Sequence, residues 1–78
     1  MRRKGGRTME GYKVYLTKSH EVAALIGKAH TVGVDYVTEI KISRSASAEV
    51  PAVYYDYGFC CVVKYKGIEE PSHKIIFA

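Results

Sequence analysis

The sequence predicts a small α+β domain with one helix packed on a mainly antiparallel four-stranded sheet, in the order β-α-β-β-β. Apolar residues recur at helical spacing once, between Ser19 and His30, and at period two before and after it. The 78 residues make one domain at most, and 47% hydrophobic content is too high for a disordered chain. A single amphipathic helix covers one face of such a sheet, which gives a two-layer domain spanning residues 9–78.

The first strand is read from Tyr12, Val14 and Leu16, which alternate with Lys13. Ser19 is placed to cap a helix through its hydroxyl, and Glu21 falls in the first turn, where the helix dipole favours an anion. Val22, Leu25, Ile26 and Ala29 then stand at i, i+3, i+4 and i+7, so they are expected to face the core. Gly27 weakens the helix by roughly 1 kcal/mol relative to alanine and is expected to allow a close approach to the sheet. Gly33 suits the left-handed position that closes a helix.

Period two returns at Val34. Val34, Tyr36, Ile40 and Ile42 are expected on one face, and Asp35, Val37, Glu39, Lys41 and Ser43 on the other. The small, polar stretch from Arg44 to Pro51 reads as a flexible hairpin connection. A long third strand is expected from Tyr54 to Tyr65. Tyr55, Tyr57, Phe59, Cys61, Val63 and Tyr65 form its core face; Tyr54, Asp56, Gly58, Cys60, Val62 and Lys64 form the other, with a bulge or bend at Gly58. Lys66 to Pro71 reads as a turn, and His73–Phe77 as a short closing strand.

The formal charge of +4 sits entirely at one end: Arg2, Arg3, Lys4 and Arg7 supply it, and from Met9 onward 12 − 4 = 8 basic residues balance 8 acidic ones. Residues 1–8 are expected to be a disordered basic leader or an upstream reading of the true start. Arg3-Lys4-Gly5-Gly6 is encodable by a purine-rich run that matches a bacterial ribosome-binding consensus, with Met9 at an ordinary distance for initiation. That points to a Gram-positive bacterium, or a phage or mobile element in one. The rival reading is a basic arm that touches phosphate. The leader lacks the apolar core of a signal peptide, and no run approaches the length of a membrane span. Two adjacent cysteines, Cys60 and Cys61, point to opposite faces of a strand and fit a reducing cytoplasm.

No residue set carries a catalytic, metal or cofactor signature. His20 and His30 lie roughly 80° apart around a helix and about 15 Å along it, so they share no metal. Mid-strand cysteines usually pack as small hydrophobes. The 7 tyrosines are the informative excess. Tyr15, Val37, Tyr54, Cys60 and Val62 are expected to share the sheet face opposite the helix and form a contact surface, because five such residues make a patch. The expected function is therefore a cytoplasmic, non-enzymatic interaction module without a cofactor, a homodimer that also binds another protein, in the setting of a phage or mobile-element accessory protein or inhibitor. The alternative is a nucleic-acid-binding module that uses sheet tyrosines and the basic arm. On the same face Lys13, Lys41 and Lys64 are offset by Asp35, Glu39 and Asp56.

Overall fold

The computed structural model describes residues 9–68 and 73–78; the basic leader and part of the predicted turn before the last strand lie outside them. The elements are β1 (Met9–Thr17), α1 (His20–Lys28), β2 (Val37–Arg44), a short 3-10 helix (Ala52–Tyr54), β3 (Phe59–Ile68) and β4 (His73–Phe77). They form one α+β domain with a four-stranded sheet in the order β2-β3-β1-β4. The β1/β3 and β3/β2 pairs are antiparallel, while β4 runs parallel to β1, so the sheet is mixed but mainly antiparallel. With β3 inserted between them, β1 and β2 run parallel, and β1-α1-β2 is a split β-α-β unit. No helix among the described residues is long and apolar enough to cross a membrane.

The helix begins where its cap residue dictates. Ser19 is extended, and its Oγ accepts the Val22 N–H at 3.3 Å, with Glu21 in the first turn. The face it buries is not the predicted Val22/Leu25/Ile26/Ala29 stripe. Ala23 and Gly27 are buried, Ile26 is half-buried, Ala29 is exposed, and Val22 and Leu25 remain 37% and 64% exposed. The cause is close docking through the smallest side chains: a Cβ on Gly27 would stand 2.8 Å from Ile42 Cδ1. Beyond the helix, Val37 N–H donates to Val34 O at 3.0 Å across a turn whose central residues, Asp35 and Tyr36, both have positive φ, as a type I′ turn requires. β2 therefore starts at Val37 rather than Val34, and Gly33 (φ +93°) belongs to the preceding turn, closed by Val34 N–H to Thr31 O at 3.1 Å, rather than to the helix end.

Both sheet faces are covered. On the helix side Ala23, Val37, Cys61 and Val63 form a buried cluster, with Tyr15, Ile26, Ile40, Phe59 and Tyr65 around it. On the opposite side Val14, Leu16, Val50, Cys60 and Val62 form a second cluster, joined by Tyr12, Tyr54, Tyr57 and Ile75. The lid over this second cluster is residues 45–58, the hairpin connection between the antiparallel neighbours β2 and β3, as expected after Arg44 but longer. One expectation is corrected: Tyr54–Tyr57 is not strand but a 3-10 turn and bend. The loop closes on itself: Ser45 N–H donates to Gly58 O at 3.0 Å, Gly58 N–H donates to Ser45 Oγ at 3.0 Å, and Ser45 Oγ donates to Tyr55 O at 2.7 Å. Ser45 is fully buried, so these bonds replace water that the group has lost. Gly58 marks the bend into β3. It has φ +150°, and a Cβ there would meet Thr17 O at 2.7 Å.

Two bulges set the phase of the strands. Val37 pairs with Tyr65 and Glu39 with Lys64, which leaves Thr38 unpaired and brings Val37 onto the same face as Ile40 and Ile42. In β3, Gly67 is skipped between the Glu10–Lys66 and Met9–Ile68 pairs, with φ +87°. Lys66, Gly67 and Ile68 are therefore strand, not turn.

Candidate interaction surface

The register decides where each predicted interaction residue falls. Tyr15 pairs with Cys61 and Val37 with Tyr65, both beneath α1. Tyr54, Cys60 and Val62 belong to the opposite face, beneath residues 45–58. The five residues thus divide between two faces and form no single surface. Val37 is 4% exposed, Cys60 and Val62 are fully buried, and Tyr15 and Tyr54 are half-buried. Tyr12, Val14 and Leu16 likewise share a face with Cys60 and Val62, not with Tyr65. Alternation within a strand gives parity, but only pairing gives the phase between strands.

The residues that carry chemistry are dispersed. Cys60 Sγ lies 3.5 Å from Arg44 O and 3.6 Å from Ser43 Oγ. Burial, reinforced by the neighbouring Cys60, pushes the Cys61 thiol up to about 11, which keeps it protonated. Each histidine rests on an aromatic ring: His20 edge-on to Phe59 at 5.4 Å, His30 tilted on Tyr15 at 5.9 Å, and His73 stacked on Tyr12 at 4.3 Å. Among the described residues no group of three or more His, Cys, Asp or Glu is placed to hold a metal ion. Two open clefts, of about 250 and 350 Å³, contain Glu49, Lys64 and His73 in one and Lys13, His30 and Asp35 in the other; neither is lined by a cysteine.

The first cleft borders an ion-pair cluster with a structural task. The Glu49 carboxylate accepts from Lys41 Nζ at 3.0 Å and Ser47 Oγ at 2.8 Å, and lies 3.2 Å from Lys64 Nζ. Lys64 also meets Glu39 at 3.4 Å. The Glu49 side chain is only 11% exposed, and its bond to Lys41 is the main reason that its carboxyl falls to about 2. Because Lys41 and Lys64 stand on β2 and β3, Glu49 ties the 45–58 lid to the sheet.

Exposed apolar side chains are spread over α1 (Val22, Leu25), the turn before β2 (Val32, Val34, Tyr36), β2 (Ile42), the lid (Val53, Tyr55) and β4 (Phe77). Tyr15 and Ile76 are parallel neighbours and share the helix face, whereas Ile75 packs into the cluster beneath the lid. Phe77, 52% exposed, stands with Tyr54 and Tyr57 at ring distances of 5.2 and 5.4 Å. On the helix face α1 contacts β1, β2 and β3 but not β4. Gly27 faces β2, and at roughly 100° per residue Val22 and Leu25 lie about 140–160° away, on the side of α1 turned from that contact, where they are exposed. The sequence held a signal for this: Ala23 and Gly27, four apart, mark the close-docking stripe, and the run Ile75-Ile76-Phe77 lacks the alternation of a strand with one wet face. Comparison with protein-family models, curated proteins and solved structures finds no match to this chain.

Proposed function

We propose that this chain is a small non-enzymatic protein-interaction module that works as a homodimer. The observation that carries the reading is the β4 edge of the sheet, where the exposed Phe77 stands beside the half-buried Ile75 and Ile76. Exposed apolar groups beside an unprotected edge are a contact surface in soluble domains. Size supports the same reading, because a domain this small buries little surface and gains stability from association. A second exposed group, Val32, Val34 and Tyr36, offers a separate contact for another protein. It is carried on the positive-φ turn that costs Tyr36 backbone strain.

The absence of catalysis is part of the proposal, supported by the buried cysteines and by histidines spread over separate aromatic contacts. A nucleic-acid platform has less support. The lid and the helix cover the two sheet faces, and Lys41 and Lys64 are engaged by carboxylates. Sedimentation equilibrium across protein concentration tests the reading. The mass is expected to rise from 8.7 kDa toward twice that value. A monomer mass held to millimolar concentration would refute it.

A further inference from the structure

Resting on the homodimer reading, we infer that the second copy pairs antiparallel with β4, edge to edge, in a register centred on Ile75. The backbone gives the direction of each β4 residue. Ala78 N–H donates to Leu16 O at 2.8 Å, so Ala78 turns toward β1. At period two Ile76 and Lys74 do the same, since a residue of a parallel pair points its N–H and C=O to one side. His73, Ile75 and Phe77 therefore turn their N–H and C=O groups outward, where no strand pairs with them among the described residues.

A two-fold axis perpendicular to the sheet brings a second β4 antiparallel to the first and keeps each face on its own side. Opposite residues must then share a face, which allows only registers centred on a residue of the strand. Centring on Ile75 sets Ile75 opposite Ile75, His73 opposite Phe77 and Lys74 opposite Ile76 of the second copy. All three outward residues of each copy then fall in hydrogen-bonded pairs, so six bonds form and none of these groups is left over. Moving the centre to Lys74 or Ile76 sets only two of the three outward β4 residues opposite one another. The side chains agree with the backbone, since this register puts aromatic against aromatic and isoleucine against isoleucine on the Phe77 face.

The other edge lacks these properties. β2 carries Glu39, Lys41 and Arg44 and is bulged at Thr38, all devices that discourage edge pairing. Pairing through β4 extends the sheet from four to eight strands and sets the two helices on one side. Phe77 leaves on the order of 100 Å² exposed in each copy. An interface of one short strand and its bordering side chains lies at the small end of the range, below roughly 1,200 Å² in total. The dimer is accordingly concentration-dependent.

The test uses sedimentation equilibrium on the full chain and on two variants, each checked for folding by circular dichroism. Ile75→Pro removes an outward N–H that makes no bond to β1, a position where an edge strand tolerates proline. Two dimer bonds are lost, and the dissociation constant is expected to rise at least about 10-fold. Phe77→Lys replaces a half-exposed ring and serves where the proline disturbs the strand; it too is expected to favour the monomer. A wild-type dimer undiminished in either folded variant overturns the β4 interface and leaves self-association standing. A wild-type chain that stays monomeric overturns both.

Discussion

Glu49 is the sharpest point at which to perturb this fold. Its carboxyl titrates near 2 in the folded chain against an ordinary 4.5, chiefly because Lys41 bonds it, with Ser47 and Lys64 adding to the effect against the cost of burial. A difference of roughly 2.5 pH units is worth at most about 3 kcal/mol at 1.36 kcal/mol per unit. The folded value is depressed, so the contribution is full above the unfolded value and disappears as pH falls from about 4.5 to about 2. Glu49→Gln keeps the shape and removes the charge. At pH 7 it is expected to cost about 2–3 kcal/mol, a large share of the stability of so small a domain, and to lower Tm by roughly 10–20 °C. Urea titrations of both proteins at pH 7, 4 and 2 give the assay. The gap between them should shrink steadily and be nearly closed at pH 2. A gap that stays constant over that range, or is absent at pH 7, would show that the Lys41–Glu49–Lys64 cluster does not hold the lid to the sheet.

Two further substitutions probe the same architecture. Ser45→Ala strips the buried hydroxyl that accepts from Gly58 and donates to Tyr55, leaving both backbone groups without that partner, and is expected to cost about 1–3 kcal/mol in chemical denaturation; a loss under 0.5 kcal/mol would mean that the loop closes without it. Tyr36→Gly relieves a left-handed conformation in an exposed turn and is expected to add about 0.5–1 kcal/mol, strain relief outweighing the greater freedom of the unfolded chain. A net loss in the same measurement would show that the ring of Tyr36 over Gly67 matters more than the backbone.

The elements legible in the sequence were those with a local cause. Ser19 caps the helix, Tyr12–Leu16 lies in a strand, and Gly27 permits close approach because its missing Cβ leaves room for Ile42. Other features depended on pairing, which no local pattern records. The bulge at Thr38 moves Val37 to the helix face, and the β1/β3 register places Tyr12 and Tyr65 on opposite sides. The tyrosines at 54, 55 and 57 have strand propensity, yet loop closure through Ser45 and the turn at Gly58 override it. Once residues 45–58 are recognised as a lid, the apolar character of both sheet faces is explained without an exposed patch there. At the β4 edge the backbone direction, invisible in composition, decides which N–H and C=O groups face outward.

Amide hydrogen exchange as a function of protein concentration tests the β4 dimer most directly, because it reads the backbone groups themselves. At low concentration Lys74 and Ile76, bonded to β1, should already be protected, while Ile75 and Phe77 exchange freely. Raising the concentration through the dimer transition is expected to slow Ile75 and Phe77 selectively. Protection that grows instead at Ile40 and Ile42 of β2, or an Ile75 amide that exchanges freely in the assembled protein, would contradict the account.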